Sequence, residues 1–298
     1  MQGGLRVDWS HFGIARRPFW SAVDTASYFA SPTHEAAAQA IHAAFHRGEP
    51  AALLDGPPGC GKSLIALRWL ESLPAETSRI VLANLQSPRP ADLHQAILFD
   101  LNLPYRGLSE QELRLAVTEH LLSQTSRKVL VIEEAQNLGE HAFEELRLLG
   151  NIESAGRSML FVLLTAQPRI HDTLRQSESF AQRLGVRCRI EPLSIEESAA
   201  YLRHQVKFAG GDPEAVFDAE SIELLAGACQ GIARLLNRAA HSAAELAADA
   251  GAETIDVEAA MEAVARLELS AAEVEEDTIP LKHSAKAKKA KLLRRRSA

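Results

Sequence analysis

Apolar residues along this chain follow two rhythms. Short continuous runs, Ala51–Asp55, Val129–Ile132 and Met159–Thr165, have strand length and little or no polar face. That is the pattern of parallel strands covered on both sides. Two further runs, Ile80–Gln86 and Arg187–Leu193, read as strands beside them. Between the runs, apolar residues recur three and four apart and predict helices over His34–Arg47, Leu64–Leu70, Ala91–Leu101, Ser109–Gln124 and Glu140–Ile152. Strands alternating with helices give an α/β fold with a doubly wound parallel sheet. From Ser194 the strand rhythm stops. Ser194–Phe208, Asp218–Cys229, Ile232–Asp249 and Asp256–Leu267 read as helices, separated by Gly210-Gly211-Asp212-Pro213, Gly231 and Gly251. This second region is a small helical bundle.

Composition supports a folded chain. Of 298 residues, 46% are hydrophobic, enough for a sizeable core, and the scarcity of aromatics (5%) beside abundant Ala and Leu leans toward helix. No apolar run has signal-peptide or membrane-span length. Cys60, Cys188 and Cys229 are odd in number and far apart, so neither a disulfide framework nor a zinc site is suggested, and a cytoplasmic location is expected. The net charge of −7 is unevenly spread. Eight of the 32 cations fall in Lys282–Ala298, which has no acid, so residues 1–281 hold 24 cations against 39 acids, a net −15. An acidic body and a basic end follow. The stretch from 270 onward, acidic and then basic, reads as a disordered tail able to meet nucleic acid or anionic lipid.

The strongest chemical signal is Gly56-Pro57-Pro58-Gly59-Cys60-Gly61-Lys62-Ser63, followed by Leu64, between a strand and a helix. It fits the phosphate-loop pattern G-x-x-x-x-G-K-[ST] at every specified position. Glycines let the backbone turn its N–H groups onto a polyphosphate, and the helix N-terminus adds its dipole. Lys62 supplies a cation for the terminal phosphates, and the Ser63 hydroxyl suits Mg²⁺. A nucleoside triphosphate is the expected ligand. Cys60, at the helix N-terminus, is either a small residue tolerated at a free position or a thiol sensitised by the dipole; the first reading is preferred.

A magnesium nucleotide site also needs acids at the end of a neighbouring strand. The run Val129–Ile132 leads straight into Glu133-Glu134. Glu133 is assigned to the magnesium shell, and Glu134 to polarising the attacking water.

These motifs lie in order with Val131-Ile132-Glu133-Glu134-Ala135-Gln136-Asn137-Leu138, Gln167-Pro168, Gln182-Arg183-Leu184, Glu191-Pro192-Leu193 and Gly231-Ile232-Ala233-Arg234-Leu235-Leu236-Asn237. Together with Phe12-Gly13, Pro18-Phe19 and Tyr28-Phe29, they resemble the AAA+ ATPase domain of ExeA-type proteins (general secretion pathway protein A) over about residues 9–266. The resemblance implies ATP as the nucleotide and four regions: a linker at 1–35 contributing to the nucleotide pocket, an α/β core at 36–193, a helical lid at 194–269, and the tail at 270–298. It implies that Gln167 senses the γ-phosphate, that Arg183 reaches into a neighbouring subunit's site, and that Arg234 closes the lid over the nucleotide. Residue type alone would leave Gln167 as a helix cap, and Arg183 and Arg234 as ordinary surface or helix residues.

Two departures stand out. Glu133 occupies a position where the family usually has Asp, and no membrane span or periplasmic part of the kind found in full-length secretion members follows. The resemblance extends to transposition ATPases of the TniB/TnsC type. The leading expectation is a homo-oligomeric, magnesium-dependent ATPase that assembles or remodels a protein partner, in secretion or pilus-type machinery. The alternatives are a DNA-associated recombination ATPase and a non-hydrolysing nucleotide switch.

Overall fold

Strand β1 (Ala51–Asp55) shows why the sheet is central. Ala51 and Leu53 face one apolar layer, while Ala52 and Leu54 face another. The computed structural model describes residues 7–277, apart from residues 21, 84, 86–87, 124–125 and 155–156. The other strands are β2 (Arg79–Leu82), β3 (Lys128–Ile132), the two-residue β4 (Glu153–Ser154) and β5 (Arg157–Ser158), β6 (Leu160–Ala166) and β7 (Leu184–Arg189). Strands β4 and β5 pair only with each other. The remaining five form one parallel sheet in the order β2-β3-β6-β1-β7.

Helices α1 (Pro32–His46), α2 (Lys62–Ser72), α3 (Pro90–Asp100), α4 (Glu110–Leu122), α5 (Glu140–Leu149), α6 (Ile170–Gln176) and α7 (Glu178–Ala181) alternate with the strands. Helices α1 and α2 cover one face, where Phe45, Trp69 and Phe161 meet edge-on or tilted. Residues of α3, α4, α5, α6 and α7 cover the other. A polar cluster around the buried Glu145 ties three of these together. Glu145 of α5 lies 3.1 Å from His94 of α3 and 2.6 Å from Arg114 of α4.

Several boundaries differ from those the sequence pattern predicts. Strand β2 stops at Leu82 because β3 offers no rung beyond the bond from Glu133 N–H to Leu82 O. Strand β7 begins three residues earlier than expected and ends at Arg189. After one further bond from Ile190 N–H to Asp55 O, the chain leaves the sheet, and Leu193 N–H bonds Gly231 O instead.

The bundle comprises α8 (Ile195–Phe208), α9 (Pro213–Val216), α10 (Ala219–Ala228), α11 (Ala233–Asp249) and α12 (Val257–Asp277). Its core is unusual in its source. Trp9, Phe12, Ile14 and Phe19, from the segment before α1, pack among Leu202, Phe217, Leu236 and Ala240. The N-terminal segment is therefore part of the bundle's core as well as the lead-in to the sheet. Helix α12 runs to Asp277, past the end expected at Leu267 and into the stretch from 270 expected to be a disordered tail, as the high helix preference of Ala and Glu permits. The basic segment Lys282–Ala298 lies outside the described residues. Among the described residues, no helix is long and apolar enough to cross a membrane.

Candidate functional site

Parallel strands emit their C-terminal ends on one side. Asp55 pairs with Ala166 and Ile132 with Leu164, so Gly56, Glu133 and Gln167 leave the sheet along one edge. Ligands of such sheets bind at this edge, where the strand order reverses. An open cleft lies there.

The phosphate loop forms one wall. Gly59 and Gly61 have φ of +84° and +89°, a region that disfavours any side chain with a Cβ. A Cβ on Gly59 would stand 2.9 Å from Ile232 and 3.0 Å from Arg234, so the loop can approach the bundle only without one. Pro58, Gly59, Gly61, Lys62, Ser63 and Leu64 line the cleft. Gly56, Pro57 and Cys60 do not. The first two turn their carbonyl oxygens to Lys62, which donates to Gly56 O at 2.9 Å and Pro57 O at 2.8 Å. Cys60 points into the core, and burial raises its thiol pKa. That favours the small-residue reading over a sensitised thiol.

Lys62 is only 6% exposed. Burial lowers its pKa, while the nearby Glu134 carboxylate opposes the shift. Behind the loop, His34 supports the turn, with Nε2 3.0 Å from the Cys60 carbonyl oxygen and the ring against Gly61. Burial lowers the pKa of His34. The neutral ring with its proton on Nε2 donates to that carbonyl.

At the end of β3 the chain turns sharply. Glu134 sits at φ +52°, in the left-handed region, and leads into a tight turn at Ala135–Asn137. This conformation brings its carboxylate to the cleft and to the end of β6. Glu134 Oε2 accepts from Gln136 Nε2 at 2.5 Å and from Gln167 Nε2 at 3.0 Å. Gln136 Oε1 accepts the Gln167 backbone N–H at 2.9 Å. Glu133 lies one residue earlier, with its N–H in the ladder, and is not a cleft-lining residue. Ser63 and Glu134 both line the cleft, and oxygen donors of this kind suit a hard cation such as magnesium.

The bundle and the N-terminal segment form the opposite wall. Arg234 opens α11, lines the cleft, and its N–H bonds Gly59 O at 3.2 Å. Tyr201, Gln205 and Asn237 lie beside it, and Trp20, Ala22, Val23, Asp24 and Ser27 complete the rim. Asn237 stitches these parts together, accepting from Tyr201 Oη at 2.9 Å and donating to Trp20 O at 2.8 Å. Arg183 stands apart from this cleft, between α7 and β7, near enough to Glu144 of α5 to lower its pKa alongside the larger effect of Arg147.

The structure thus joins Lys62, Ser63, Glu134 and Arg234 around one space, links Gln167 to it through the bond to Glu134, and leaves Glu133 and Arg183 outside the lining. Sequence reading missed Gln136, Tyr201, Gln205 and Asn237. Gln136 and Asn237 carried a signal, the first two residues after Glu134 in a run that follows a buried strand and the second three residues after Arg234.

Comparison with known proteins agrees with this architecture. Residues 46–174 match the family model for an AAA domain. General secretion pathway protein A of Aeromonas hydrophila is 31% identical over 232 residues, 76% of this chain but 42% of that protein. The chain therefore spans less than half the length of this curated relative. Among solved structures, the fold is similar to Aeropyrum pernix ORC1 in complex with DNA (TM-score 0.68, 20% identity, 89% of this chain and 73% of that one). It is also similar to Cdc6p from Pyrobaculum aerophilum (TM-score 0.65, 20% identity, 84% and 68%) and to the Thermotoga maritima RuvB Holliday junction branch migration motor (TM-score 0.56, 19% identity, 79% and 68%). At these identities the structural likeness shows a shared fold.

Proposed function

We propose that this chain, a P-loop protein of the AAA+ ATPase fold whose residues 46–174 match an AAA domain, binds ATP with magnesium and hydrolyses it as an oligomer to assemble or remodel a partner complex. One observation carries the reading: Lys62, Ser63, Glu134 and Arg234, from three separate parts of the chain, line the same cleft.

Each side chain has a task its position suits. Lys62 leaves its two carbonyl partners to bind the β- and γ-phosphates, the stronger charge-assisted bond. The Glu134 carboxylate, held at Oε2, takes a proton from the attacking water through Oε1. Gln167, beside that carboxylate, is placed to respond to the γ-phosphate. Magnesium, when bound, neutralises phosphate charge. Ser63 and Glu133 would hold it, with Glu133 one methylene longer than the usual Asp. Arg234 can couple closure of the helical lid to the bound phosphates. Arg183, outside its own cleft, is free to serve a neighbouring subunit, where a guanidinium would stabilise the transferring phosphate.

Similarity to general secretion pathway protein A supports a secretion or pilus-type setting. The test is steady-state ATP hydrolysis with and without magnesium and double-stranded DNA, over a range of protein concentrations, beside Glu134→Gln and Arg183→Ala. Specific activity that rises with protein concentration, requires magnesium, falls about 100- to 10,000-fold in Glu134→Gln and is lost in Arg183→Ala is expected. Strong stimulation by DNA would move the assignment to recombination or transposition. Tight ATP binding without turnover would make the protein a switch.

A further inference from the structure

We infer that Gln136 is a positioning residue for hydrolysis: its side-chain amide clamps the Glu134 carboxylate to the end of β6 and so sets which carboxylate oxygen faces the water. The inference rests on the hydrolytic reading of the cleft.

The hydrogen bonds fix the orientation of this amide. Gln136 Oε1 receives the backbone N–H of Gln167 at 2.9 Å, and a backbone N–H can only donate. The other end must therefore be the NH₂, and it meets Glu134 Oε2 at 2.5 Å. Gln136 is 7% exposed, so few other partners compete for it. Gln167 donates from its own side chain to the same oxygen. Two amide donors on Oε2 leave Oε1 as the proton acceptor.

The backbone makes this clamp necessary. Glu134 occupies the left-handed region at φ +52°, a conformation that disfavours a residue with a Cβ. Without an anchor, its side chain could sample other directions. Gln136 supplies the anchor within the same turn, and attaches it to the backbone N–H of Gln167, just past the end of β6. A shift of Gln167 therefore moves Gln136, and through it Glu134. Asparagine, one methylene shorter, could not span both partners, whereas glutamine does.

The test uses Gln136→Ala and Gln136→Glu, each alone and combined with Glu134→Gln, in steady-state hydrolysis with ATP affinity measured separately. Gln136→Glu keeps the size and still accepts the Gln167 N–H but replaces the NH₂ donor with a second carboxylate beside Glu134, and thermal melts of both single variants beside wild type check that the fold is intact. A misplaced reacting group costs about 100-fold in rate. Accordingly, kcat should fall about 10- to 100-fold in both single variants, with ATP affinity and KM nearly unchanged. In the Glu134→Gln background, neither change at 136 should slow the enzyme further, because a residue acting through Glu134 has nothing left to position. Wild-type turnover in Gln136→Glu, or additive losses in the double variants, would overturn the assignment alone. Absence of turnover in the wild-type protein would remove the hydrolytic reading and this role together.

Discussion

Lys62 and Gly59 show how much of the site depends on single side chains. Lys62 lines the cleft and lies outside the apolar core, so its removal enlarges the cleft and opens no core cavity. Lys62→Ala should fold normally and bind ATP about 10- to 100-fold more weakly, as expected for loss of a charge-assisted bond worth roughly 1.5–3 kcal/mol. Calorimetric titration beside a circular dichroism spectrum checks both halves. Gly59→Ala tests the opposite case. It adds a methyl at φ +84° against Ile232 and Arg234, and the backbone cost alone is about 1–2 kcal/mol. The loop would separate from the start of α11, and ATP affinity should drop even though no ligand-contacting side chain is lost. Wild-type affinity in Gly59→Ala would show that the loop and lid are not locked together. The glycine pattern was legible in the sequence, but the residues it admits were not, because Ile232 and Arg234 lie more than 170 positions away.

At the scale of elements, local chemistry accounts for most helix starts. Ser109 with Glu112 and Ser194 with Glu197 form reciprocal caps at the first turns of α4 and α8. Ser194→Ala should cost about 1 kcal/mol, read as a lower urea midpoint, with the larger effect on the bundle. The N-terminal segment follows a different logic. Phe19 is 1% exposed and meets Phe217 edge-on at 6.1 Å between ring centroids. Phe19→Ala should destabilise the protein by about 3–5 kcal/mol. Because Trp20 lines the cleft next to it, ATP affinity should weaken as well. A change in stability without a change in affinity would mean that the segment is only a structural strap. Short elements escaped the sequence reading for a physical reason. Helices α6, α7 and α9 and the β4–β5 pair are each seven residues or fewer, too short for a period to repeat.

At the scale of the whole molecule, several buried histidines make stability depend on pH. Burial lowers the pKa of His34, His94 and His241 from the ordinary 6.5, so each favours its neutral form in the fold. The unfolded chain then binds protons first as pH falls. Stability is unaffected above both pKa values, is lost as pH drops through about 6.5, and levels off below the folded values. The thermal midpoint should therefore fall between pH 7.5 and pH 5.5, before the carboxylates titrate. A flat midpoint across that window would show that these rings are solvated. The sequence by itself determined the phosphate loop, the buried parallel strands, the acidic pair at the end of β3 and the change to an all-helical region, because each is encoded in neighbouring residues by spacing or burial pattern. Only the tertiary structure decided which of them share a space. The seating of Trp9 and Phe19 in the bundle, the meeting of Arg234 with Gly59, and the Gln136–Glu134–Gln167 clamp join residues brought together by sheet order and packing, and contacts of that kind leave no period in the chain.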